Sequence, residues 1–232
     1  MNFNWNSNTI RWYQEADAYS GFSRNIANFV APRLEGYSTL CDIGCGLGLV
    51  DLELSKYING ITCIDINREA IEALKKSVED RKITNIETRL MDCNAIDEVW
   101  DVIFISFFGG CNLQEFLHYC KKLIVVVNKK NHSELIPIKY RTFKKNTVDQ
   151  VEQVLTEKGV SYSLTEVSFE FGQPLISLED AQNFVRAHSP QITAEDLSNF
   201  LSDRLTETGE KQYPFFIPRM KSMGIFEIEG KL

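Results

Sequence analysis

The sequence predicts an α/β fold built largely on parallel strands, and three observations carry that prediction. A short apolar strand, a three-glycine turn and a helix start succeed one another over residues 38–56, STLCDIGCGLGLVDLELSK. Two further strand-like segments, Gly60–Asp65 and Ile86–Leu90, end at or just before a carboxylate. The runs WDVIFISF from Trp100 and LIVVV from Leu123 are nearly continuous in apolar residues, as strands covered on both faces are.

In chain order, residues 8–34 place Ile10, Trp12, Tyr13, Ala16, Tyr19, Phe22, Ile26, Phe29 and Val30 at helical intervals until Pro32 ends the run. This predicts one helix or a helix pair. A helix is expected from Arg68 to about Arg81, with Asn67 as its N-cap and Ala70, Ile71, Leu74 and Val78 on its inner face. Another is expected over residues 112–122, before the strand at 123–127. Thr147 opens a helix that Gly159 closes, and residues 161–171 alternate in part like a strand. Ser177 with Asp180, and Thr193 with Asp196, carry the N-terminal capping pattern of two more helices. A closing strand is expected at 224–228.

The chain has 232 residues, of which 44% are apolar, enough to bury one sizeable core. Its net charge of −7 argues against nucleic acid as a partner held by bulk electrostatics. The N-terminus lacks the basic and apolar pattern of a leader, and no apolar run approaches a membrane span, so a cytoplasmic protein without membrane contact is expected. Six cysteines, Cys41, Cys45, Cys63, Cys93, Cys111 and Cys120, show no CxxC pairing, so free thiols and no metal site are expected.

Glycines at the spacing of Gly44, Gly46 and Gly48 supply backbone angles that side chains forbid, or let main-chain N–H groups approach a ligand. The dinucleotide fingerprint fails here, because Leu49 stands where its third glycine belongs. Asp42, Gly44, Gly46 and Gly48 instead resemble motif I of the class I S-adenosylmethionine-dependent methyltransferases. Asp65, about 20 residues beyond the turn at a strand tip, suits hydrogen bonding to ribose hydroxyls.

The resemblance covers residues 38–130 well and the rest in outline. It implies a Rossmann-like, seven-stranded, mostly parallel sheet in the order 3-2-1-4-5-7-6, with the last strand antiparallel and a small helical lid. The domains expected are an N-terminal helical segment (1–35), a cofactor-binding domain (36–171 and 214–232) and a helical lid (172–213). Acceptor specificity is expected to reside in that lid. S-adenosylmethionine is the implied cofactor and S-adenosylhomocysteine its product. The implied cofactor residues are Asp42, Gly44, Cys45, Gly46, Gly48, Asp65 and Ile66, with Asp92 and Cys93 for adenine and Ser106 at the fourth strand tip.

For the acceptor, the resemblance points to Tyr13, Tyr19 and Arg24 in the N-terminal segment and to Phe107 and Phe108 beyond strand four. The sequence Ser-Phe-Phe-Gly at 106–109 departs from the Asn/Asp-Pro-Pro-aromatic signature of DNA amino-methyltransferases, which counts against exocyclic base amines. The cationic run at 129–145, with Lys139 and Arg141, favours an anionic small metabolite as substrate. Should the acceptor need a general base, His132, Glu170 and His188 are the candidates. An RNA or protein methyltransferase, and a non-catalytic cofactor-binding module, are the alternatives. A monomer or homodimer is expected.

Overall fold

The computed structural model describes residues 3–107, 113–130, 134–140 and 146–232. Phe108, Cys111, His132 and Arg141 lie outside the described residues. The chain divides into two compact units. One comprises Ser23–Lys130, Lys145–Val167 and Ser222–Leu232, and the other Met1–Phe22, Asn131–Lys144 and Ser168–Lys221.

The first unit is organised by the strands β1 (Thr39–Ile43), β2 (Gly60–Asp65), β3 (Ile86–Leu90), β4 (Trp100–Ser106) and β5 (Cys120–Asn128). With β6 (Ser163–Glu170) and β10 (Met220–Glu229) they form a seven-stranded sheet in the order β3-β2-β1-β4-β5-β10-β6. Strands β1 to β5 are parallel, and β10 runs antiparallel to β5, pairing Gly224 with Val127. This is the expected order, with β10 as the seventh strand of the sheet.

Helices α3 (Leu49–Leu54), α4 (Arg68–Asp80) and α6 (Val148–Glu157) belong to the same unit, as does most of α2 (Phe22–Val30). Asn67 caps α4 by accepting the Ala70 N–H at 3.0 Å, and Ala70, Ile71 and Leu74 are buried. A core of Cys41, Ile43, Ile64, Ile103, Ile105, Leu123, Val125, Phe226 and neighbours fills one side of the sheet, where α6 contributes Val148, Val151 and Leu155. At the N-terminal edge of the strands, Asp101 accepts the Ser38 and Thr39 N–H groups at 2.8 and 3.1 Å and pairs with Lys121. Lys121 and these amides hold its carboxyl down to about 2.

The helix expected over 112–122 is shorter than its sequence pattern. Only α5 (Leu113–Phe116) and one 3-10 turn (Leu117–Tyr119) form, because the chain is already extended at Cys120, which pairs with Trp100 of β4. Propensity yields there to sheet pairing.

The second unit has α1 (Ser7–Ser20), whose start is fixed by a capping box between Asn6 and Thr9 and whose end is Gly21 at φ +65°. It also holds α7 (Leu178–His188) and α8 (Ala194–Arg204), capped by Ser177 and Thr193 as their spacing predicts. A three-stranded antiparallel sheet, β7 (Gln173–Leu175), β9 (Phe215–Ile217) and β8 (Thr206–Glu207), completes it. Trp12, Leu175, Ala181, Phe184, Val185, Leu197, Leu201 and Ile217 make its core. Asp180 is buried there and fully engaged: it accepts from Arg11 at 2.6 Å, from Trp12 Nε1 at 3.0 Å and from the Ile176 N–H at 3.2 Å.

Candidate active site

Parallel strands that neighbour one another present their C-terminal tips on one rim, and the order β3-β2-β1-β4 puts four tips side by side. The glycine turn comes directly after β1. Gly44, Gly46 and Gly48 all have positive φ, at 73°, 54° and 59°. The turn is tied to the next strand, since the Gly44 and Cys45 N–H groups both donate to Ile64 O, at 2.8 and 3.1 Å. At Gly48 a Cβ would come within 2.6 Å of Leu74 Cδ1 on α4, so only glycine satisfies both the backbone angle and the helix packing.

Asp65 stands at the tip of β2, half-exposed. Its Oδ2 accepts the Gly46 N–H at 2.9 Å and its Oδ1 accepts the Asn67 N–H at 2.8 Å. Each carboxylate oxygen has a second lone pair, so the group is held in place and still able to accept from a ligand. Ile66, next in the chain, leaves 50% of its surface exposed, an apolar face beside a carboxylate. At the tip of β3, Asp92 is exposed and accepts from Asn94 N and Nδ2 at 2.9 and 2.8 Å, and Cys93 stands next to it half-buried.

Ser106 ends β4 half-buried, and Phe107 comes next with φ +55°. A bulky aromatic in the left-handed region is strained by about 1–3 kcal/mol. The Phe107 N–H, donating to Val126 O at 2.8 Å, holds it there by continuing the β4–β5 ladder one residue beyond the strand.

Below the turn lies a buried acidic pair, of which the sequence pattern marks only Asp42. That residue, expected at the cofactor, is 1% exposed, and Asp51 on the first turn of α3 is 0% exposed. The two carboxyl groups are near enough that each acts on the other's proton affinity. An ionised carboxylate only accepts, so if both were charged, Asp42 Oδ1 and both Asp51 oxygens would lack a donor. Burial, then the neighbouring Asp51, pushes the Asp42 carboxyl well above its ordinary range. Burial pushes Asp51 up to about 6, with the neighbouring Asp42 and Cys63 acting in the opposite direction. The signal in the sequence is a carboxylate inside the otherwise apolar start of a six-residue helix, LVDLEL.

The acceptor candidates do not gather at one place. Arg24 belongs to an ion cluster on Glu53, with Lys56 and Arg81, at the C-terminal ends of α3 and α4. Those helices run back against the strands, so the cluster lies at the sheet edge opposite the glycine turn. Tyr13 and Tyr19 belong to the second unit. Tyr13 packs on Trp5 and Phe171, and burial raises its phenol. Tyr19 is exposed, packs on Tyr213 and Phe216, and donates to Glu210 at 3.4 Å.

His188 is a packed side chain. It sits among Trp12, Phe3 and Phe184, its Nδ1 bonds to Phe184 O at 2.9 Å, and burial lowers its pKa. Glu170 is exposed at the end of β6. In the cationic run, Lys129 pairs with Glu166, Lys130 with Asp149 and Lys139 with Asp196. Among the described residues no group of three metal-ligating side chains occurs, and no helix is long and apolar enough to cross a membrane.

A glycine turn fused to an acidic strand tip, on a sheet of this order, is an arrangement with which open α/β sheets hold nucleotide-type ligands at their C-terminal strand tips. Residues 40–129, from β1 through β5, match the family model described as a methyltransferase domain. Among solved structures, the YcgJ protein from Bacillus subtilis matches with a TM-score of 0.55 at 11% identity, over 90% of this chain and 100% of that one. The precorrin-6y C5,15-methyltransferase from Geobacter metallireducens matches with a TM-score of 0.51 at 13% identity, over 88% and 89%. A putative RNA methyltransferase from Pyrococcus horikoshii matches with a TM-score of 0.51 at 10% identity, over 91% and 84%. At these identities the likeness is one of fold.

Over residues 40–129 the chain is similar to methyltransferase domains, a likeness that points to S-adenosylmethionine as the molecule the site would hold. The residues present fit such a molecule: a carboxylate fixed by two backbone amides and still able to accept from hydroxyl groups, an exposed isoleucine beside it, and a turn in which a Cβ would strike α4.

Proposed function

We propose that this chain is an S-adenosylmethionine-dependent methyltransferase acting on a small metabolite whose reacting atom is presented at the tip of β4. The observation that carries this reading is Phe107, an aromatic residue held at φ +55° where β4 ends, between the glycine turn after β1 and the neighbouring β5. Strain of this kind persists where the surrounding structure enforces it, and it clusters at sites that position ligands.

In this reading Asp65 accepts from the ribose, Ile66 packs on the adenine, and Asp92 and the Cys93 N–H read its edge. The bound cofactor supplies an activated methyl group on a sulfonium. The work of the chain is then to align a nucleophile in line with that methyl group and to exclude water, a task that requires no dedicated base. The segment 172–213 carries acceptor specificity.

Charge favours a small acceptor over RNA. The protein has a net charge of −7, and the described lysines at 129, 130 and 139 are each paired with a carboxylate, so they offer no open cationic track for a polyanion. The test is incubation with isotopically labelled methyl donor and, separately, a metabolite extract and total RNA. Label in a small organic product supports the reading, and label only in the RNA fraction overturns it.

A further inference from the structure

We propose that Asp51 is a positioning residue for the cofactor, sharing one proton with Asp42 so that a hydrogen bond ties the end of β1 to the start of α3 across the glycine turn. Asp42 stands before the turn and Asp51 after it, and between them lie Gly44, Gly46 and Gly48, each at positive φ. Such a turn has wide conformational freedom, and its ordering is a cost that binding must meet unless the fold has already met it.

The pair is placed for this task. Both side chains are enclosed, with Asp42 on the same sheet face as Cys63, its register partner in β2. Asp42 holds the proton and donates to Asp51, whose charge is favoured by its place in the first turn of a helix. Three oxygen atoms otherwise lack a donor, and one shared proton supplies the link. The groups facing the pair are the thiols of Cys45 on the turn and Cys63 on β2, and the Asp65 carboxylate. Both thiols are raised and so stay neutral. From α4 the packed residues are Ala70, Ile71 and Leu74.

With one or two protons the link stands. With none, two buried like charges repel and the turn loosens, so cofactor affinity declines towards alkaline pH. Asn at position 51 keeps the link in either state of Asp42, because its amide both accepts and donates. Ala at that position removes it at every pH.

The inference rests on cofactor binding at this turn, and the test separates the two. Calorimetry of S-adenosylhomocysteine binding from pH 6 to pH 9 is run on the wild type, Asp51→Asn and Asp51→Ala. Thermal melts without ligand establish that each variant is folded. The titration of the ligand's own amine is common to all three and cancels in the comparison.

We expect the wild-type affinity to fall by about tenfold more than that of Asp51→Asn over this range, the factor that a one-unit difference in pKa produces. Asp51→Ala should bind about tenfold more weakly at pH 6. Parallel pH profiles for wild type and Asp51→Asn overturn the shared-proton link. Absence of wild-type binding at every pH overturns the cofactor site itself, and this role with it. If Asp51→Ala does not fold, the comparison between wild type and Asp51→Asn decides alone.

Discussion

The Asp65 carboxylate accepts the Gly46 N–H at 2.9 Å, so the acidic tip of β2 and the glycine turn after β1 form one rigid piece. With Asn67 N–H on the other oxygen, the carboxylate has little freedom left to lose on binding.

Replacing Asp65 by Ala should therefore do two things. It removes the acceptor assigned to the ribose, and it frees the Gly46 amide. A hydrogen bond to a charged group contributes about 1.5–3 kcal/mol, so S-adenosylhomocysteine should bind roughly 10- to 100-fold more weakly. Asp65→Asn, which still accepts from the Gly46 amide, should lose less. Calorimetry measures both, and unchanged affinity in the alanine variant would remove the ribose assignment.

Phe107→Gly separates backbone strain from the contribution of the ring. Glycine adopts φ +55° at no steric cost, so relief of about 1–2 kcal/mol should offset part of what the lost ring contacts cost. Denaturant unfolding should then lie within about 1 kcal/mol of wild type, while methyl transfer falls by about tenfold or more through misplacement of the acceptor. Cofactor affinity should stay within about twofold. A variant with wild-type turnover would show that the strained tip has no part in placing the acceptor.

The sheet was legible in the sequence because β1, β2 and β4 each show both an apolar run and a signal at the C-terminal end, namely the glycines after Ile43, Asp65 and the aromatic pair after Ser106, while β3 shows only Asp92 and β5 only its apolar run. The small sheet was not legible. Its strands have three, two and three residues, too few for alternation to show, and Gln173–Leu175 contains a proline. Asp51 escapes notice for a different reason. An acidic residue in a helix is ordinarily solvated, and only its partner across the turn shows that this one is enclosed. The left-handed backbone at Phe107 is likewise set by β4 and β5 together, and no local pattern reports it.

In the second unit, Asp180→Ala should be strongly destabilising. The carboxylate satisfies the Trp12 indole N–H and the Ile176 amide and pairs with Arg11, so its removal strands one buried donor and one partly buried one. Arg11 keeps 33% of its side-chain surface in solvent, which moderates the charge penalty. A loss of about 2–4 kcal/mol is expected in chemical denaturation. A loss below about 1 kcal/mol would mean that Asp180 does not organise this core.

Stability should also carry the signature of the buried pair. In the unfolded chain Asp51 titrates near its ordinary value of 3.8, whereas in the fold burial pushes it up to about 6. The folded state therefore holds a proton that the unfolded state has released. The associated stabilisation is complete below about pH 4 and is lost as pH rises through about 6. Two pKa units correspond to about 3 kcal/mol. Asp42, raised in the same direction, extends the decline to higher pH. Asp51→Asn does not ionise at that position, so the unfolding free energy of the wild type should fall relative to that of the variant by about 2–3 kcal/mol between pH 4 and pH 7. Urea titrations of both proteins at half-unit pH intervals measure this difference, and a difference that stays constant or grows with pH would mean that Asp51 is ionised throughout this range.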